Sequence, residues 1–291
     1  IIVLNPSKAE VAEQVRYQRF RHSYSLLKSS EYLFRRYALI ERTLDLSAYD
    51  AVLLRYPLAD PTGPDFCQRF PIVTEHHTLE VPELQARLGA SSLMGRLARR
   101  ILLQMESRYA GSVLRNCQGI VGVTNQVVRY ELRRAGVKVP ARTVGNGIDV
   151  EATRVTGFSP FDGRELRMVF IASNLRPWHG LDRLIASMNR YRGKVDVTLH
   201  VVGNVSPDSL PGISLEQVHF HGPQYEDDLD GIIGASHLAV DSLAMYRRNM
   251  REGSNLKVRD YTARGIPFIM AHEDPDLADV DDDHRFYLRF P

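Results

Sequence analysis

The sequence predicts an α/β protein of two domains, each a parallel sheet flanked by helices. Three observations carry this. Short apolar, β-branched runs alternate with helical patterns along most of the chain. The length of 291 residues exceeds one compact core and suits two of ordinary size. The alternation pauses once, at the turn-forming Asn146-Gly147 and the polar stretch running on to Gly163. These place an N-terminal domain at 1–150 and a C-terminal domain at 151–291.

The elements follow in order. Strands are predicted at Ile1–Leu4, Ala51–Arg55, Ile72–Glu75, Gly119–Val123, Leu166–Ala172, Val195–Val202, Gln217–Phe220, His237–Val240 and Ile266–Met270. Each is a short apolar run bounded by polar or turn residues. Helices are predicted at Ser92–Arg115, Asn125–Ala135, Gly180–Tyr191, Glu226–Gly234 and Ser254–Arg264. Parallel strands joined this way bind ligands at their carboxyl ends.

Composition narrows the classes. Hydrophobic residues make up 44% and charged residues 25%, a globular balance. The longest stretch without a charged residue, Asn116–Val128, is too short and polar for a bilayer span, which needs about 20 apolar residues. Two cysteines, Cys67 and Cys117, exclude a disulfide scaffold and a cysteine-based zinc site, and fit a cytoplasmic setting. The chain opens on Ile1-Ile2-Val3-Leu4 without Met or a signal peptide and stops at Arg289-Phe290-Pro291, which reads as the ordered part of a longer chain.

Charge is uneven. Residues 1–150 carry 21 Lys+Arg and 14 Asp+Glu, a net +7; the rest carries 16 and 21, a net −5. The basic half suits an anionic partner, such as a membrane surface, a phosphorylated lipid or a nucleic acid, or is a set of ordinary solvated helix faces. Arg16–Tyr24 interleaves bases with aromatics, as an interfacial element does. Arg96, Arg99 and Arg100 share a helix whose other face, Leu93, Leu97, Ile101 and Leu102, is expected to pack. No nucleic-acid-binding signature is present.

The most informative segment is Glu252-Gly-Ser-Asn-Leu-Lys-Val-Arg-Asp260-Tyr-Thr-Ala-Arg-Gly265-Ile-Pro267. Ser254 can cap a helix and Gly265 can stop it. A helix start after a strand end is an anion site, and Glu252 and Asp260 can flank it, accepting hydrogen bonds from hydroxyls. A capped surface helix fits the same residues.

The Glu252/Asp260 pair resembles the Glu-x7-Glu motif of retaining GT-B glycosyltransferases, with Asp in second place, and Ala263-Arg-Gly265-Ile-Pro267 resembles its sequel. Val144-Gly-Asn146-Gly147-Ile-Asp149 is similar to the family's domain junction. Phe170–Ile185, Leu199–Gly203 and Val218–Gly222 resemble further motifs in family order, and Pro71–His77 resembles the strand ending in the active-site histidine.

The resemblance implies a GT-B fold of two doubly wound Rossmann-like domains facing a cleft, no essential metal or cofactor, and a nucleoside diphosphate sugar as donor. It implies a glycan or lipid-linked acceptor, and a place in the cytoplasm or on the inner membrane face. It also implies a C-terminal crossover helix, which this sequence lacks. Glu252 would bind the donor sugar and Asp260 the ribose. Backbone N–H groups near Ser254, Asn255 and Leu256 would hold the diphosphate. His77, or its neighbour His76, would approach the sugar from the opposite domain, and Asn146 and Gly147 would line the cleft. The family's diphosphate-binding Arg and Lys fall on Asn174 and His179. Lys257 is therefore the candidate replacement cation, with Arg176 nearby, and His179 would donate to phosphate when protonated. Arg247-Arg248 either reads an acidic group or is a solvated loop. An epimerase or hydrolase of the same fold, a non-catalytic nucleotide-binding subunit, and a basic nucleic-acid-binding protein are the alternatives.

Overall fold

The computed structural model describes residues 2–4, 34–86, 93–156, 159–280 and 286–290. The basic-aromatic run Arg16–Tyr24 lies outside them. The chain divides into two compact units, Ile1–Val144 and Gly145–Pro291. Residues 145–150, which the sequence reading placed in the first domain, group with the second unit.

The first unit holds β1 (Ile2–Leu4), β2 (Ala51–Arg55), β3 (Ile72–His76), β4 (Gly119–Gly122) and β5 (Ala141–Thr143), paired in that order. From β2 to β5 the pairing is parallel. β1 departs from the expected direction and runs antiparallel to β2, an edge arrangement common in α/β sheets. The helices are α1 (Arg36–Thr43), α2 (Gly63–Arg69), α3 (Glu80–Ala86), α4 (Leu93–Asn116) and α5 (Asn125–Ala135). α5 begins where the Thr124 hydroxyl accepts from the Val127 N–H at 3.2 Å, and ends at Gly136 in the left-handed region. The core gathers Tyr37, Leu54, Phe66, Ile72 and Val113. The start of α4 does not pack as expected: Leu93 is 74% exposed and Leu97 55%, and burial begins only at Met105.

The second unit is a wholly parallel sheet ordered β11-β10-β9-β6-β7-β8. Its strands are β6 (Glu165–Asn174), β7 (Asp196–Asn204), β8 (Val218–Gly222), β9 (Leu238–Val240), β10 (Phe268–Met270) and β11 (Tyr287–Arg289). α6 (Leu181–Arg190), α7 (Glu226–Gly234) and α8 (Leu256–Arg264) connect them. Successive side chains of β6 enter opposite cores: Met168 and Phe170 join Leu181, Ile185 and Val201, while Val169 joins Val258, Tyr261 and Phe268. This two-sided burial explains why β6 reads as a continuous apolar run. Each fully buried side chain of this size contributes roughly 1.5–3 kcal/mol.

The strand order reverses beside β6. β7 and β8 lie on one side of it, β9, β10 and β11 on the other. The carboxyl ends of β6 and β9 are therefore the switch point at which α/β sheets take ligands.

Candidate functional site

Three groups converge at the carboxyl ends of β6, β9 and β10. After β6 comes a single 3₁₀ turn, Pro177–His179. It is clamped to the loop leaving β9: Leu243 N–H donates to His179 O at 2.9 Å and Ala244 N–H to Trp178 O at 3.1 Å. Directly after β9 stands Asp241, its side chain fully buried. His272 follows β10.

Asp241 is the hub. The Asn255 amide donates to both its carboxylate oxygens at 3.1 and 2.9 Å. Lys257 Nζ lies 3.2 Å from Oδ1 and His272 Nε2 lies 3.3 Å from Oδ2. Burial pushes the Asp241 carboxyl up, but Lys257, His272 and the Asn255 amide push it further down, below the usual carboxylate value. Burial pulls the Lys257 ammonium below the ordinary lysine value, and Asp241 opposes that pull. Lys257 is no solvated helix lysine. Its Nζ is buried and sits 4.5 Å from the Phe170 ring centroid.

Lys257 occupies the first turn of α8, whose N-cap is Asn255, not Ser254. The Asn255 side chain serves Asp241 and makes no cap hydrogen bond. The first N–H groups of α8 have no intrahelical acceptors, so the positive helix end and the Lys257 ammonium coincide. Gly253 is required before this turn: a Cβ there would stand 2.7 Å from His272 Cδ2 and 3.0 Å from Met245 Cε.

His179 is corrected. Its Nδ1 faces the Arg176 N–H at 3.3 Å. Burial first, then Lys257, Arg248 and Arg176 against Asp241, drive its pKa down to about 3. That shift favours the neutral ring over the expected cation. The Arg247-Arg248 pair is no solvated loop. Arg247 makes a bidentate pair with Asp182 at 2.8 and 2.7 Å, and Arg248 lies 4.9 Å over Trp178.

The other expected residues make these contacts within the second unit. The Ser254 hydroxyl accepts from Asn146 N–H at 2.8 Å and from Arg259 Nη2 at 2.9 Å. The Asn146 side chain donates to Ser254 O, and Arg259 Nε donates to Asn146 O at 2.7 Å. Arg259 is held in turn by Asp274 at 2.9 and 3.0 Å. Asn146 lines a cavity of about 410 Å³ with Arg259, Thr262 and Asp276. Gly147 is exposed, and nothing would meet a Cβ there. Asn174 pairs with Asn204 at 3.4 Å at the ends of β6 and β7. Leu256 is 65% exposed. Glu252 is half-buried, on a bridge to Glu273. Asp260 accepts from Arg264 Nε at 2.9 Å, and Arg264 also reaches Asp230.

In the first unit His76 and His77 separate cleanly. His76 is fully buried, its ring 4.4 Å from that of Tyr56. His77 lines an accessible pocket of about 200 Å³, with Nε2 3.1 Å from both Arg55 Nη1 and Glu75 Oε1. Burial and Arg55 pull its pKa down, against Glu75.

Sequence reasoning missed Asp241, His272 and the contribution of Arg248. One signal was available: Asp241 directly follows the predicted strand His237–Val240, at a carboxyl end.

No curated protein sequence matches the chain. Solved structures do. The lipopolysaccharide outer core galactosyltransferase WaaB, apo form, is 12% identical with a TM-score of 0.52, over 86% of this chain and 63% of that one. Anabaena Alr3699/HepE, in complex with UDP and glucose, is 17% identical with a TM-score of 0.57, over 90% and 69%. The pneumococcal O-GlcNAc transferase GtfA, in complex with UDP and GlcNAc, is 12% identical with a TM-score of 0.55, over 88% and 48%. This chain thus spans less than two thirds of the galactosyltransferase. The two parallel-sheet α/β units are those of the GT-B fold. The profile of Glycosyltransferase Family 4 matches residues 1–152, and the chain belongs to that family. Among the described residues no helix is long and apolar enough to cross a membrane.

Proposed function

We propose that this chain is a retaining glycosyltransferase. It moves a sugar from a nucleoside diphosphate sugar to a hydroxyl of a glycan or lipid-linked acceptor, in bacterial polysaccharide or glycoconjugate synthesis. The observation that carries this reading is the Lys257 ammonium, buried at the first turn of α8 beside the ends of β6 and β9. A leaving diphosphate gains negative charge as the glycosidic bond lengthens. A helix start and a fixed cation stabilise that charge without a metal. Neutral His179 adds a hydrogen-bond donor. Glu252 accepts from sugar hydroxyls and Asp260 from the ribose, and His77 is assigned the sugar-facing role. The basic first half suits an acceptor carrying phosphate at the inner face of a membrane.

The test is a thermal-shift panel of nucleoside diphosphates and their sugar conjugates. UDP comes first, because it is the nucleotide in the HepE and GtfA complexes. A ligand at about 100 times its Kd stabilises the folded state by about 2.7 kcal/mol. A rise in Tm with one base is expected; no shift with any nucleotide overturns the reading. Replacement of Lys257 by Ala is expected to cut turnover by roughly a hundredfold, the scale for losing one preorganised charge-stabilising group. Unchanged turnover in that variant removes Lys257 from the mechanism.

A further inference from the structure

The first unit contains a cluster that the donor site does not use. His76 closes β3, Glu80 opens α3 and Glu131 lies in the last turns of α5. All three are buried: His76 and Glu131 are 0% exposed and Glu80 6%. His76 Nδ1 stands 3.4 Å from Glu80 Oε1 and 3.6 Å from Glu131 Oε1. Neither ring nitrogen of His76 makes a hydrogen bond, nor does Glu80 Oε2. Buried polar atoms are almost always hydrogen-bonded, so three elements would not ordinarily converge on an unsatisfied imidazole.

The distances are too long for hydrogen bonds but suit another geometry. Zinc bonds of about 2.0–2.1 Å place neighbouring ligands of a tetrahedron about 3.3–3.4 Å apart. One donor atom from each residue lies within 4.8 Å of the others. Charge points the same way. Glu80, Glu106 and Glu131 share one guanidinium, that of Arg134. Three buried carboxyl groups thus crowd around a single cation.

We infer that His76, Glu80 and Glu131 form a binding site for a divalent transition-metal ion of the zinc class, tying the end of β3 to α3 and α5. The imidazole nitrogen disfavours Mg²⁺ and Ca²⁺, which take oxygen ligands. The outer shell is already built. Arg134 holds Glu131 at 3.1 and 2.9 Å, and Tyr56 packs on the His76 ring. Glu80 also lines the 200 Å³ pocket with Tyr56 and His77, which gives the ion a way in. The inference is independent of the donor-site reading.

The test uses the whole chain, stripped with chelator and titrated with zinc chloride. One zinc per chain is expected, together with a rise in Tm that chelator reverses. Glu80→Gln and His76→Asn are each expected to weaken zinc binding at least tenfold, the lower end of the cost of losing even an outer-shell partner. His200→Asn is the control, because His200, His219 and His221 form a second imidazole cluster with ring centroids 5.1 Å apart. No zinc bound at tenfold excess overturns the inference, as does loss of binding only in His200→Asn. If the ligand variants do not fold, cobalt chloride with the unaltered chain decides. Strong visible absorption of tetrahedral Co²⁺ supports the site, and the faint band of six-coordinate Co²⁺ or no band overturns it.

Discussion

Replacing Asp241 by Asn removes the charge at the hub of the second unit while keeping its shape. Lys257 Nζ stands 3.2 Å away. At an effective dielectric of about 20, charges at that separation attract by about 5 kcal/mol. Desolvation consumes part of that attraction in the intact pair. The variant, however, leaves a buried ammonium without its counterion, and removing one partner of a buried pair costs about 3–5 kcal/mol. The expected loss is about 3 kcal/mol, at the low end because the Asn amide oxygen still accepts a hydrogen bond.

Trp178 makes the measurement local. It is the single tryptophan of the sequence and is buried beside the loop that Asp241 begins. Urea unfolding followed by its fluorescence reports the second unit. The double variant Asp241→Asn/Lys257→Met is expected to lose at least 2 kcal/mol less than the sum of the single losses, because the second change removes the stranded charge. The pH dependence has a definite sign. The folded-state pKa of Asp241 lies below its unfolded value, held there by Lys257 and His272 against burial. Its contribution is therefore complete above about pH 4 and is lost as pH falls through the folded value. The Asp241→Asn variant should lose less stability on acidification. A loss below about 1 kcal/mol, or additivity within about 0.5 kcal/mol, refutes the ion-pair argument.

Other outcomes follow from named contacts. His77→Ala is expected to lower kcat roughly tenfold or more with little change in Tm, because this side chain lines an open pocket and anchors no core; turnover assays and melting curves on the same sample check it. Arg259→Met strands the buried Asp274 carboxylate and is expected to cost about 3–5 kcal/mol in urea unfolding. Arg259→Lys should recover only part of this, because lysine cannot make the fork. Gly253→Ala forces a Cβ against the His272 ring and is expected to cost about 1–3 kcal/mol by the same assay.

The sequence was most legible where local signals agree. The bounds of α5 and α7 are those of the predicted helices, Asn125–Ala135 and Glu226–Gly234. For α5, Thr124 and Gly136 mark the ends. The short helices α1 and α2 were missed because their starts carry no side-chain cap: the Thr62 hydroxyl at the start of α2 donates to Asp60 instead. The site divided the same way. Lys257 stood out because it is close in sequence to Glu252 and Asp260. Asp241 and His272 acquire meaning only when β9 and β10 end side by side, which no spacing encodes. The exposed start of α4 misled for the converse reason, since a helical stripe shows which residues share a face but not whether anything covers it.

On the proposed function, the missing cations of the motif would shape the chemistry of the donor end. With Asn174 and a neutral His179 where the resemblance places Arg and Lys, the strand-end loop after β6 contributes no charge from those two positions. Positive charge comes instead from the first turn of α8 and from Arg248, both close enough to lower the His179 pKa. Lys257 already has a counterion, so on the proposed function an arriving diphosphate would compete with Asp241 for its ammonium, rather than dock on a preset guanidinium fork. On the proposed function, such a site would hold the ground-state anion less tightly and respond most as the bond to the sugar lengthens and charge accumulates on the leaving oxygen, the selectivity that favours the transition state over the substrate.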